Sequence, residues 1–433
     1  MASDYSAARQ EFVDRLNASV SLNIPWLQKK VNIGKSALNE DARSQGILHL
    51  YVPAGGTGDI EQLANASGPI SGALDRTSDF SGGKDNASYY KLDVYCRNAW
   101  EIFSHTTLEK MFQTGNIDKN ILEGRKNHMV QNINKDLVTR SWTRAGGACV
   151  ASSTELGFVA MSKAVAMLQT IKADGNWTGY LSPLFKAKLA TEAAKKNGGF
   201  DVPDDVLKSM YGRGSIGVYD GADWVNEPFM PELSVGALNT TDSASGITVK
   251  ADVTTQGADE IVITGFSASG TVKKGTVFTV EGVYDVTTGG LAAPFLKQFV
   301  VQEDAAAAAD STKYKYTLKV LPMYFNDDTK GYRPTVYNSS SKIPATAVVN
   351  GLLDASTTYY VGYLKEDSAF NWTPFELPDV EGYNNTTSST EDITIQLVSG
   401  GELKTRKNAM RFDAPYFGDI VDPRACRLVY YKK

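Results

Sequence analysis

The chain has 433 residues, 42% hydrophobic and 21% charged, enough for two or three globular domains. Its 44 basic and 49 acidic residues leave a net charge of −5, which argues against a broad basic grip on nucleic acid but leaves room for contact by one basic face. Cys96, Cys149 and Cys426 are few, odd in number and without C-x-x-C spacing, so structural thiols in a reducing compartment are expected rather than a disulfide framework.

The opening residues Met-Ala-Ser-Asp-Tyr-Ser are polar, with no charged segment followed by an apolar core, so no secretion signal is expected. No stretch approaches the roughly 18 apolar residues of a membrane span. Residues 4–22 predict an amphipathic helix, with Tyr5, Ala8, Phe12, Leu16 and Val20 on one stripe and Asp4 as N-cap. Ile24-Pro25-Trp26 stops it. Such a helix docks on its own core or, less often, on a neighbour. Residues 35–90 form a polar, glycine-punctuated run around one strand signal at Ile47–Val52. That is too long for an ordinary connection, which leaves disorder or an extended hairpin ordered by another chain. Gly55-Gly-Thr-Gly58 lacks the Lys-Ser/Thr of a phosphate-binding loop.

Tyr89–Tyr95 alternates as a strand, and a helix is expected from Arg97 to Phe112, where Trp100, Phe103, Met111 and Phe112 are apolar. Ile117 to Trp142 reads as one long helix, with Asn116 as cap and Ile117, Ile121, Met129, Ile133 and Leu137 at helical spacing. Its length is about 40 Å. Residues 153–234 are mixed. Helices are expected at 154–168, 183–195 and 203–211, with a short strand at Tyr180-Leu181. Gly212-x-Gly214-x-x-Gly217 follows a helix rather than a strand, so its glycines read as turns and not as a dinucleotide fingerprint.

From Val235 to Leu353 the pattern turns to β, with strand signals at Ile247–Lys250, Glu260–Thr264, Thr276–Val283, Gln298–Val301 and Tyr314–Val320. Strands at this spacing predict a small antiparallel barrel or sandwich. Ala305–Ala309 is expected to be a loop or one helical turn, and Pro344–Ala355 a helix. Strands are expected at Thr357–Leu364, Asp392–Val398 and Arg424–Tyr431, with a polar loop from Gly382 to Glu391. These later strands complete a sheet begun before residue 235 if the β segment interrupts a discontinuous fold.

No constellation carries chemistry. His49, His105 and His128 share no metal-binding spacing, and there is no G-x-S-x-G elbow and no P-loop. Asp204-Asp205 sits at a helix start and Asp327-Asp328 in a turn, where acids are favoured without catalysis. A non-enzyme without cofactor or metal is expected.

Three stretches resemble one family. Tyr180-Leu-Ser-Pro-Leu-Phe-Lys-Ala through Gly212-Arg-Gly-Ser-Ile-Gly217 to Trp224 and Pro231 resembles the passage leading into the inserted β-domain of P22-like tailed-phage coat proteins. Thr271-Val-Lys-Lys followed by Gly275–Val283 resembles a strand of that insert, and Asp379-Val with Arg424–Tyr431 resembles the closing strands. The resemblance implies an α+β HK97-like fold with an inserted small antiparallel β-domain. Its parts would be an arm (1–35), an extended loop (36–90), a peripheral domain with a spine helix (91–152), an axial α/β region (153–234), the insert (235–353) and closing strands (354–433). It implies a major capsid protein that assembles with itself as hexamers and pentamers into an icosahedral shell around double-stranded DNA. Scaffolding protein, portal and non-specifically packaged DNA are the implied partners, with no membrane. The implied location is the virion capsid, after assembly in the host cytoplasm. Lys29, Lys30, Lys35, Arg125, Lys126, Lys135 and Arg140 become candidates for facing DNA or scaffold, and Asp252 and Asp259 for contacting a neighbouring subunit. No match to the family's cross-linking Lys and Asn is present, so a shell without covalent cross-links is expected. The rival expectation is a secreted or surface β-rich module that binds glycans or proteins, suggested by the second half's wealth of Thr, Asn and Tyr.

Overall fold

The computed structural model describes residues 10, 13–15, 17, 18, 26, 47–53, 89–106, 117–151, 155, 157–171, 175–194, 216–243, 246–255, 257–286, 292–324, 342–390, 392–402 and 407–433. Most of the expected arm helix, most of the glycine-punctuated run, the helix at 203–211, Gly212, Gly214 and the acid pairs Asp204-Asp205 and Asp327-Asp328 lie outside the described residues. The fold is mixed α and β, with strands predominating. It divides into two compact units, one of residues 1–50, 93–141 and 366–421, the other of residues 51–92, 142–365 and 422–433.

The first unit is built on a five-stranded antiparallel sheet. Its long strand Lys407–Ile420 pairs with Thr394–Glu402, Phe370–Pro374 and Arg97–Thr106, and Asn384–Ser389 lies beyond Thr394–Glu402. The helix Ile117–Ser141 forms where the apolar spacing predicts it, and spans about 37 Å. It buries Met129, Ile133, Leu137 and Val138. Gly418 lets the elements close up: a Cβ there would lie 2.8 Å from the Trp372 ring and 3.4 Å from Leu137. Trp372 stacks on Tyr416 with ring centroids 4.5 Å apart. Near the N-terminus, the fully buried Asn17 side chain donates to the Ser388 and Ile393 carbonyls at 2.8 and 3.1 Å, so one amide holds both strands of a hairpin.

The second unit joins a mixed sheet to a barrel. The sheet runs Ala148–Val150, Cys426–Lys432, Thr358–Glu366, Trp177–Leu181, Ala222–Asn226, Gly217–Tyr219. Helices Gly157–Ile171 and Pro183–Ala194 pack Phe158, Met161, Leu168, Phe185 and Leu189 against Trp224, Val429 and Tyr431. The barrel runs Val349–Gly351, Val277–Val286, Ala292–Val301, Lys313–Tyr324, Ala258–Phe266, Thr248–Val249. A bridge between Thr248 and Val348, with Val349 N–H donating to Ile247 O at 3.0 Å, joins the last strand back to the first. Closure leaves no open edge on this path. Its interior holds Ile261, Ile263, Phe278, Val280, Phe299, Val301, Tyr316, Leu318 and Val320. Before the barrel the chain runs through Glu232–Ser234, and after it through Thr358–Glu366; these two strands pair, with Ser234 opposite Thr358.

Four expectations are corrected. Arg97–Thr106 is a strand, not a helix, because Lys407–Tyr416 offers it ten register partners and its apolar residues serve a period of two as well as 3.6. Pro344–Ala355 holds turns and the short strand Val349–Gly351, which the barrel needs to close, in place of a helix. Ala305-Ala306 and Ala308–Asp310 are short strands paired with Thr271-Val272 and Lys313–Lys315, so neighbours override alanine's helical preference. The polar stretch Gly382–Glu391 contains the strand Asn384–Ser389, held by six register partners in Thr394–Ser399.

Candidate assembly surfaces

Along the long helix, residues four apart share one flank. His128, Asn132, Asp136 and Arg140 follow this spacing and face the strands beside them. His128 Nδ1 contacts the buried Glu101 carboxylate, and Asn132 donates to the same carboxylate at 3.4 Å. Tyr416 O–H donates to Asp136 at 2.6 Å. Burial, and then the Asp136 charge, push the Tyr416 phenol well above its ordinary value, so it stays a neutral donor. Arg140 donates to Asp136 at 2.7 Å and to Gly418 O at 3.0 Å. Burial opposes its charge, but bonding to Asp136 and the nearby Asp419 outweigh that and hold the guanidinium above its usual range.

Beside this ladder lies an open groove of about 540 Å³, lined by Trp100, Glu101, Ile102, His128, Asn132 and Asp136 among others. Ala99 and Glu101 point inward on their strand, which leaves Trp100 53% and Ile102 52% exposed on its other face. Arg411 lies 5.3 Å over the Trp100 ring and pairs with Asp413 at 2.8 Å. Asp413 also accepts from Asn98 at 2.7 Å. An exposed aromatic with an arginine on its face suits a protein contact better than a reaction.

The nine candidate residues scatter. Lys29, Lys30 and Lys35 lie outside the described residues. Arg125 and Lys126 fall on the long helix, at positions whose side chains lie outside what is described. Lys135 is exposed on that helix, while Arg140 is spent on partners in its own unit. Asp252 accepts from Lys342 Nζ and Ala345 N–H, each at 2.6 Å, and the Lys342 bond leads in holding its carboxyl below the usual range. Its contacts are thus within its own unit. Asp259 is exposed on the barrel strand Ala258–Phe266. The sequence reading missed Trp100 and Ile102; their alternation with Ala99 and Glu101 was the signal.

The thiols are poor nucleophiles. Burial pushes Cys149 and Cys426 up to about 12 and Cys96 to about 11. Cys149 lies on the floor of a second open groove, of about 480 Å³, between the helix Gly157–Ile171 and barrel residues Pro294 and Phe295. Among the described residues no group of three His, Cys, Asp or Glu is placed to hold a metal, and no helix is long and apolar enough to cross a membrane.

No protein-family profile and no curated protein matches this sequence. Among solved structures, the chain is similar to one of Mycobacterium phage Che8, at TM-score 0.40 and 8% identity over 90% of this chain and 86% of that one. It is similar to a chain of the bacteriophage PhiM1 mature capsid, at TM-score 0.40 and 6% identity over 94% and 86%. It is also similar to a chain of the native GTA particle's capsid, at TM-score 0.41 and 8% identity over 96% and 91%. These likenesses are too distant to place the chain in a family.

Proposed function

We propose that this chain is the major capsid protein of a P22-like tailed phage, a structural protein and not an enzyme, which assembles with itself into an icosahedral shell around double-stranded DNA. The observation that carries the reading is the position of the barrel. It occupies the sequence between two paired strands of one sheet, Glu232–Ser234 and Thr358–Glu366, as an inserted β-domain would. On this reading residues 1–35 are the arm, 36–90 the extended loop, 91–152 the peripheral domain with Ile117–Ser141 as spine helix, 153–234 the axial region, 235–353 the insert and 354–433 the closing strands of an HK97-like fold. Hexamers and pentamers of the chain tile the shell. Scaffolding protein and portal take part in assembly in the host cytoplasm, and Lys135 is the described basic candidate that remains exposed toward DNA or scaffold. Weak contacts suffice, because a closed shell multiplies them.

The test is electron microscopy of the chain expressed alone and with a candidate scaffolding protein. Closed shells or tubes of uniform wall thickness are expected. A monodisperse monomer under both conditions, with a signal on a glycan array, would replace this reading with that of a binding module.

A further inference from the structure

Three charged side chains meet out of water where the barrel joins the mixed sheet. Lys297 is 0% exposed, Arg427 1% and Asp285 4%. Lys297 Nζ donates to Asp285 Oδ1 at 2.8 Å, and Arg427 Nη2 to Asp285 Oδ2 at 3.4 Å. Asp285 and Lys297 stand on the barrel strands Val277–Val286 and Ala292–Val301, and Arg427 on the sheet strand Cys426–Lys432. The join is closed around them. A Cβ on Gly146 would lie 2.4 Å from Arg427 Nη1, and one on Gly147 would lie 2.1 Å from Gln298 Oε1, so this loop has no room for side chains. Gln298 Oε1 accepts from Ala148 N–H at 2.7 Å, and Tyr430 O–H donates to Gly275 O at 2.6 Å; both bonds cross the same join.

The charges do not balance. The charged groups that face Lys297 are Asp285 beside it, Arg427 from the sheet and Arg424 from the turn before that strand. Arg424 has its own partner in Asp422, at 3.5 Å. One carboxylate therefore serves two fully buried cations. Removing a buried charge's partner is costly, whereas removing a surplus charge is not.

We propose that Lys297, Asp285 and Arg427 form a charge lock between barrel and sheet, one that carries a surplus positive charge at neutral pH and tightens when that charge is discharged. Burial, against the pull of Asp285 and with the push of Arg427, lowers Lys297 to about 8 from 10.5. The sign follows. Below pH 8 the lysine is charged in both folded and unfolded chains, and the folded chain bears the cost of burying the charge. Between pH 8 and 10.5 the folded chain sheds the proton first, so this group's contribution to stability rises with pH. The buried Cys149 and Cys426 and the half-buried Cys96 pull the other way above about pH 9, because burial raises them.

The experiment is therefore differential: denaturant unfolding of the full chain at pH 7 and pH 9.5, for the natural protein, Lys297→Met and Asp285→Asn. The folding equilibrium of the natural protein is expected to gain on that of Lys297→Met by on the order of tenfold between the two pH values. Lys297→Met is expected to be at least as stable as the natural protein at pH 7, while Asp285→Asn, which leaves two buried cations without a carboxylate, is expected to be the least stable. Parallel pH profiles for the natural protein and Lys297→Met would overturn the lock. Failure of Lys297→Met to fold at pH 7 would overturn it equally, since the lock makes that charge a burden there. Neither outcome bears on shell assembly, which electron microscopy tests separately.

Discussion

The barrel and the five-stranded sheet of the first unit are both antiparallel, yet they dispose of their edges and apolar side chains in opposite ways. The barrel closes on itself through Thr248 and Val348 and turns its large apolar residues inward. Among the described residues Tyr284 is the large apolar side chain it exposes. The sheet stays open, and its unit exposes Tyr95, Trp100, Ile102, Val380 and Tyr383. A closed barrel has satisfied its own backbone and needs no partner. An open sheet with tryptophan and isoleucine on its surface is where a second protein gains most by binding. The barrel is thus the region expected to carry stability, and the open sheet the region expected to carry association.

The comparison can be broken by substitution. Phe278→Ala, inside the barrel and beside Phe299 at 5.6 Å, is expected to cost about 3–5 kcal/mol by denaturant unfolding. A loss below about 1 kcal/mol would mean the barrel is not the stable element. Asn17→Ala removes a buried amide that ties the Ser388 carbonyl of one strand to the Ile393 carbonyl just before the next, although Ile393 O keeps its bond from Thr390 N–H. It is expected to cost about 1–3 kcal/mol, read as the same unfolding midpoint shift. Trp100→Ser with Ile102→Thr is expected to cost about 1 kcal/mol of subunit stability, because each side chain keeps roughly half its surface covered and Trp100 gives up its contact with Arg411. In light scattering the same pair is expected to suppress self-association. Unchanged association with lowered stability would reverse the roles assigned to the two regions.

Much of this contrast was legible in the residues. The long helix, the two helices of the mixed sheet and the five strands read between residues 247 and 320 follow from local spacing, composition and turn signals, without help from distant partners. The closing strands were equally plain, since Arg424–Tyr431 is rich in β-prone residues. What could not be read depended on distant partners. Asn384-Asn-Thr-Thr-Ser-Ser389 has a loop's composition and is a strand because Thr394–Ser399 lies against it. Arg97–Thr106 satisfies two periods, and the choice falls to Lys407–Tyr416, some 300 residues later. The candidate site fared less well. Charge alone marks Arg140 and Asp252 as candidates, but Arg140 is occupied by Asp136 and Gly418, and Asp252 by Lys342. The lock was hidden for the same reason: Asp285 and Lys297 stand on neighbouring strands, but Arg427 joins them from 130 residues away.

Ser234 and Thr358 are register partners across an antiparallel pair, which sets their Cα atoms about 5 Å apart. A hairpin turn spans that gap. Deleting everything between them would ask the remaining chain for little more than one tight loop, so as a matter of ancestry the barrel is easy to gain and easy to lose. Arg427 does not stand in the way. Without the barrel it loses Asp285 and the strands that cover it together, so water takes the place of the carboxylate and the sheet keeps a solvated guanidinium, not a buried unpaired one.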